Sequence, residues 1–272
     1  MRVRVPGSSA NLGPGFDALA LAVDRYYELT DEPLEGFEPV GTDDLVWTAL
    51  KRTGASFGRL WSRSELPIAR GMGSSAAACV GAAYLGFRND GLDHTAARHA
   101  AFTVADEIEG HPDNAAASAY GGLNLAVGGR IHTDVPCLAP GQFYMWIPAS
   151  VSFTASARAV LPEALDIVDV VTQAASCAAV YAGLLNGSWD LIAGANGDQI
   201  HETARLSLLP DSAEVVSRLR AAGHAAWLSG SGPSVGALIE SGGEQMRPEP
   251  TGDWVALGVD TTGCVKVKAL GG

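Results

Sequence analysis

Apolar and polar positions divide this chain into short strand-like runs and longer helical ones. Arg2 to Val5 alternates arginine with valine, the pattern of a half-exposed strand. Residues 18–30 start apolar and end polar, and read as its partner. From Cys79 to Phe87 the chain is uncharged and apolar, with no charge before Arg88, which predicts a buried helix reaching about Asn89. A second helix is expected from Asp93, a capping residue, to about Glu109, where Gly110 stops it. Residues 162–185 keep a helical period up to Asn186 and Gly187, and 44–51, 198–206 and 211–221 are shorter helix candidates. Strand-like runs cover 121–127, 143–147, 224–228, 235–239, 254–259 and 264–270. Strands and helices mix without regular βαβ alternation, so the expected class is α+β. The proline-containing stretch 134–142 is the expected boundary between domains 1–138 and 139–272.

Three segments interrupt this pattern with glycine and serine, at 6–17, 67–77 and 229–234. The middle one, Gly71-Met72-Gly73-Ser74-Ser75, leads straight into the apolar helix. The first turn of a helix carries unpaired N–H groups and the positive end of the dipole, which together attract an anion. Gly71 and Gly73 would let the backbone approach such a ligand, and Ser74 and Ser75 add hydroxyls. One such turn is more often a helix cap with a packing glycine. Three of them, each flanked by regular structure, point to convergence on one polyanion.

Composition narrows the chemistry. The 272 residues fit one compact unit or two modest domains. No uninterrupted apolar run reaches the ~18–20 residues of a membrane span, and no signal-like region opens the sequence, so a cytoplasmic location is expected. A net charge of −12 argues against nucleic acid or an anionic membrane as partner. That charge also obliges the protein to neutralise a phosphate ligand locally. The only lysines are Lys51, Lys266 and Lys268, none near the glycine turn, so the lysine of a Walker-type loop is missing. Helix N–H groups, a divalent metal and arginines must do that work. Cys79, Cys137, Cys177 and Cys264 are too scattered for a zinc site and read as reduced thiols.

The three segments resemble the three motifs of the GHMP kinases. The first is Val5-Pro6-Gly7-Ser8-Ser9-Ala10-Asn11-Leu12-Gly13-Pro14-Gly15-Phe16-Asp17, the second spans 71–77, and the third runs from Leu228 through Ser229-Gly230-Ser231-Gly232-Pro233-Ser234 to Val235. Their order and spacing match over nearly the whole chain. The run Glu107-Ile108-Glu109-Gly110-His111-Pro112-Asp113-Asn114, with Arg158 before Leu161-Pro162 and Arg205 before Leu209-Pro210, is similar to the homoserine kinase branch. The resemblance implies an N-terminal half like the second domain of ribosomal protein S5 and a ferredoxin-like C-terminal half. It implies transfer of phosphate from ATP, with Mg²⁺, to the side-chain hydroxyl of L-homoserine on the path to threonine. The alternatives are a family member acting on another small alcohol or a homoserine-like amino acid, or a non-catalytic nucleotide-binding relative. A homodimer is the base-rate assembly for such an enzyme.

The same resemblance implies site roles. Pro67, Arg70, Gly71, Met72, Gly73, Ser74, Ser75, Ala76 and Ala77 form the ATP-binding segment. Ser75 and Glu107 are the expected Mg²⁺ ligands, oxygen donors suited to a hard cation. Glu109 is the neighbouring competitor and reads as a surface residue. Arg158 and Arg205 would clamp a carboxylate, for which the guanidinium fork is apt. Asn11, Asp17, His111 and Asp113 would meet the ammonium and hydroxyl, with Gly232 beside them. Some family members carry an aspartate base where this chain has Asn114, and an amide takes no proton at neutral pH. Asn114, His111 and Glu107 are therefore the catalytic candidates, with His111 as the alternative base. At Asp44 the chain departs from the family's adenine-side segment, which more often begins with asparagine.

Overall fold

The alternating arginine–valine run does form a strand, but a longer one than its pattern predicts. In the computed structural model, which describes residues 1–138, 141–194, 196–240 and 250–267, β1 spans Arg2–Ala10 and pairs antiparallel with β2 (Leu19–Thr30). The register shifts between Pro6 and Gly7, so the glycine–serine segment continues the strand as far as Ala10 where a loop from Pro6 was expected. Tertiary partners explain the difference. The Ser8 amide donates to the Met72 carbonyl, while the Ser9 and Ser229 hydroxyls hydrogen-bond to each other.

The chain continues through β3 (Glu38–Pro39), α1 (Leu45–Thr53), β4 (Trp61–Ser64), α2 (Ser74–Asn89), α3 (His94–Glu109), α4 (Pro112–Tyr120), β5 (Leu123–Val127) and β6 (Arg130–Asp134). Helix α2 is buried at every residue from 76 to 86, because α1, α3, α4 and β1 surround it. A helix apolar all round is stable only when enclosed in this way. Helix α3 keeps its predicted ends. The Asp93 side chain accepts from the Ala96 amide at 2.8 Å, and Gly110 closes the helix in the left-handed region. A cap of this kind stabilises a helix by about 1 kcal/mol. The His111-Pro112-Asp113-Asn114 run opens a helix: His111 stands at the N-cap of α4, and Pro112 starts it, where a missing N–H does no harm.

The second half holds β7 (Gly141–Ile147), α5 (Thr154–Ala159), α6 (Ile167–Asn186), α7 (Trp189–Gly194), α8 (Glu202–Leu206), α9 (Pro210–Ala221), β8 (Ala225–Leu228), β9 (Val235–Glu240), β10 (Asp253–Leu257) and β11 (Val265–Val267). Strands β7 to β10 make an antiparallel sheet in the order β10-β7-β9-β8, the 4-1-3-2 arrangement of a ferredoxin-like unit. By length and composition α6 is apolar enough to cross a bilayer. In this fold its Gln173, Val180, Gly183 and Leu184 are buried, and Gln173 donates to the Pro14 carbonyl. Helix α8 is shorter than the predicted 198–206, because Asp198 stands before it and accepts the amides of Ile200, His201 and Glu202.

The expected division at 138 and 139 needs correction at the chain's far end. Strand β11 pairs with β1, and the amides of Asp260 and Cys264 donate to Ala22 and Ala119. The last described strand thus completes the first sheet, in the order β11-β1-β2-β4-β3, instead of extending the second. Residues 139–140, and the end of the predicted strand at 268–270, lie outside the described residues.

Candidate active site

The three glycine–serine segments meet at the start of α2. Gly71 and Gly73 have φ of +71° and +66°, where other residues are strained. A β-carbon on Gly71 would lie 2.1 Å from the Ser229 carbonyl oxygen, and one on Gly73 would lie 2.2 Å from Ser8 Oγ. The close approach that requires glycine is therefore to the first and third segments of the chain itself. Polar bonds hold this junction together: Ser229 Oγ donates to the Gly71 carbonyl at 2.6 Å, Trp227 Nε1 to Ser9 Oγ at 3.0 Å, and Asn114 Nδ2 to Ser8 Oγ at 2.8 Å. Gly73 is the N-cap of α2 and offers no capping side chain, so the first-turn amides are left for another acceptor.

A cleft of about 480 Å³ opens at this helix start. Gly71, Gly73, Ser74 and Ser75 form part of its wall. The other members of the predicted ATP segment serve the scaffold. Met72 is buried, Ala76 and Ala77 lie in the core, and Pro67 is not among the cleft residues. The Arg70 guanidinium donates to the carbonyls of Pro148 and Ala149, bridging the two halves of the chain. Asp44, besides capping α1, reaches the cleft together with Leu45.

The structure exchanges the positions expected of the two glutamates. Glu107 is exposed and pairs with Arg52 at 2.6 Å, outside the cleft wall. Glu109 lines the cleft, and its Oε1 accepts from Ser75 Oγ at 2.5 Å. Residues two apart on a helix point in nearly opposite directions, roughly 200° around the axis, so only one of them can face α2. The helical period carries that information, but only once the inward face of α3 is known.

Further along the cleft, charged groups from distant segments converge. Arg158 Nη2 contacts both carboxylate oxygens of Asp17, at 2.8 and 3.0 Å. Arg205 is only 3 % exposed, far from the surface position normal for a lone arginine, and its Nη1 donates to the Gly230 carbonyl at 3.1 Å. His111 Nδ1 is bonded to Asp113 Oδ1 at 2.8 Å. Burial opposes charge on this imidazole, but the hydrogen bond and charge of Asp113, with Asp17, outweigh it and raise the pKa above the usual histidine value. Asn11 serves the loop: its Nδ2 donates to Gly230, and its Oδ1 accepts the Asp17 amide. Asn114 lines the cleft with its amide bonded to Ser8. Gly232 stays behind the wall, packed toward Leu228 and Leu209, while Gly230 and Ser231 face the cleft in its place.

The sequence reading missed Phe16. The guanidinium carbons of Arg158 and Arg205 lie 5.5 and 5.1 Å from its ring centroid, within cation–π range. Its only sequence signal is its place within the first glycine-rich segment, next to Asp17.

Comparison with known proteins agrees with this geometry. Residues 44–122 match the GHMP kinases N terminal domain, and residues 180–247 match the GHMP kinases C terminal model. A homoserine kinase of Cutibacterium acnes is 36% identical, over 97% of this chain and 94% of its own length. One from Bacillus licheniformis is 35% identical, over 90% and 87%. Among solved structures, a homoserine kinase from Cytophaga hutchinsonii superposes with a TM-score of 0.78 at 24% identity, covering 97% of this chain and 96% of its own. A mevalonate kinase gives 0.65 at 16%, covering 96% and 99%. The shared architecture, the two matched domain models and the full-length relatives lead to one assignment: the chain belongs to the GHMP kinase family.

Proposed function

We propose that this protein is a homoserine kinase, transferring the γ-phosphoryl group of ATP to the side-chain hydroxyl of L-homoserine in threonine biosynthesis. The observation that carries this reading is a single cleft with the uncapped start of α2 in one part of its wall and Asp17, Arg158 and Arg205 in another. The first suits a chain of phosphates, by backbone N–H groups and the helix dipole. The second suits a zwitterion, whose carboxylate the arginines would hold and whose ammonium Asp17 would hold. The full-length homoserine kinase relatives support the same substrate.

Ser75 and Glu109 fit Mg²⁺: both offer oxygen, they lie 2.5 Å apart, and Mg²⁺ usually takes only one or two protein carboxylates in a phosphate site. When bound, the ion would offset phosphate charge that this acidic chain, lacking a nearby lysine, cannot offset alone. The remaining work is positioning. Asn114 anchors the first segment through Ser8, Asn11 orders the backbone at Asp17, and Asp113 orients His111. Phosphoryl transfer through a loose transition state depends mainly on such placement and on electrostatics, so it proceeds without a strong base.

The test is ATP turnover with L-homoserine, mevalonate and other small alcohols side by side. A clear preference for L-homoserine is expected. Equal or better turnover of an alcohol lacking the amino-acid group overturns the substrate assignment, and ATP binding without phosphorylation of any acceptor overturns the enzyme.

A further inference from the structure

His201 lies at the start of α8, fully buried, and no part of the proposed reaction uses it. Its two ring nitrogens face groups that can each play only one role. Nε2 lies 3.0 Å from the Gly13 carbonyl, which can only accept. Nδ1 lies 3.3 Å from Arg205 Nη1, which can only donate. Both contacts are satisfied by one form alone, the neutral ring with its proton on Nε2. The ring also stacks on Phe16, with centroids 5.2 Å apart and planes inclined by 28°.

Arg205 is thereby held from several sides. Its Nε donates to the Ala157 carbonyl at 3.2 Å, its Nη1 to Gly230 and His201, and its guanidinium lies over Phe16. These three bonds use part of the five N–H donors and leave Nη2 for a ligand. The histidine is anchored in turn. Its amide donates to Asp198 Oδ2, and Asp198 Oδ1 accepts from Gln173 Nε2, whose other bond reaches Pro14 in the first glycine-rich segment. Helix α8 and the loop that carries Asp17 are thus tied through a neutral imidazole and an aromatic ring.

We propose that His201, as its neutral Nε2–H tautomer and stacked on Phe16, is a positioning residue that sets the Arg205 guanidinium for the acceptor's carboxylate. This rests on the homoserine kinase reading for the identity of that acceptor. It does not touch the reacting atoms. Burial pushes the His201 pKa below the usual value despite Asp198 and Glu202 nearby, and the Arg205 charge acts in the same direction, which agrees with the neutral form.

Two substitutions separate positioning from packing. In His201→Asn the side-chain oxygen can occupy the place of Nδ1 and keep an acceptor for Arg205. His201→Gln reaches instead toward Gly13 and loses that acceptor. The KM for L-homoserine is expected to rise about tenfold in His201→Gln, the loss of one hydrogen bond to a charged group, and to stay within about threefold in His201→Asn. The KM for ATP should be unchanged in both. Equal KM values for L-homoserine in the two variants, or parallel changes in both substrates, overturn the proposal. Thermal melts identify a variant that fails to fold. In that event Phe16→Leu decides, with a selective rise in the L-homoserine KM expected and an unchanged value counting against the proposal. ¹⁵N spectra of histidine-labelled wild-type protein read the tautomer without any substrate. A protonated Nε2 and a bare Nδ1 on His201 are expected, and the opposite tautomer or an imidazolium at neutral pH overturns the assignment. A wild-type protein with the expected tautomer that neither binds nor phosphorylates L-homoserine overturns the functional reading instead.

Discussion

The two parts of the cleft are built by different means. The proposed phosphate part is mostly backbone, supplied by the contiguous run at 71–75 and braced by Ser8 and Ser229. The proposed acceptor part is side chains from four separated stretches, represented by Asp17, His111, Arg158 and Arg205. A helix start attracts any polyanion and needs little help to do so, whereas recognition of a zwitterion needs charges of both signs in fixed places. The first kind of site is written along the chain. The second exists only when the chain is folded.

The largest effect is expected beside the start of α2, in the phosphate part. Glu109→Gln is expected to lower kcat about a hundredfold or more, if its charge holds the metal at Ser75. Turnover close to wild type at limiting Mg²⁺ would remove Glu109 from that role. On the backbone side, Gly71→Ala is expected to destabilise the fold by about 2–4 kcal/mol, because the left-handed φ is strained and the new methyl meets the Ser229 carbonyl. Urea denaturation measures this, and an unchanged midpoint would mean that the junction of the segments yields easily.

Arg158→Ala should act on one part alone. The KM for L-homoserine is expected to rise about thirtyfold, as for loss of a charge-assisted bond, with the KM for ATP within about threefold. Equal changes in both would make Arg158 a structural partner of Asp17.

A smaller effect concerns pH. The pKa of His201 is lowered in the fold, so from the usual 6.5 down to the folded value the unfolded chain binds the proton and the native state does not. Stability therefore falls as pH drops below 6.5, by at most about 1.4 kcal/mol per unit from this residue. Denaturation midpoints of wild type and His201→Asn should converge on acidification. Parallel curves would show that His201 titrates normally. The smallest effect is expected of Glu107→Gln, which breaks only an exposed pair with Arg52 and should leave turnover within about twofold. A large loss there would return the metal role to Glu107.

The sequence by itself determined the local elements and the phosphate cradle. Helix α3 is capped by Asp93 and stopped by Gly110, α2 is uniformly apolar, and the glycine–serine turn leads directly into it. Such features depend on period and turn chemistry within a few neighbouring residues, so a linear reading recovers them. The motif resemblance likewise carried the family, because it rests on residues in order. Tertiary structure alone decided the rest. It drew residues 6–10 into β1 through partners at Met72 and Ser229, and it returned β11 to the first sheet. It also turned Glu109 inward and Glu107 outward, since which face of a helix is buried is set by what packs against it. The acceptor site follows the same logic. Asp17 and Arg158 are 141 positions apart and meet at 2.8 Å, a pairing that no local pattern encodes because its energy is realised only when both domains are in place.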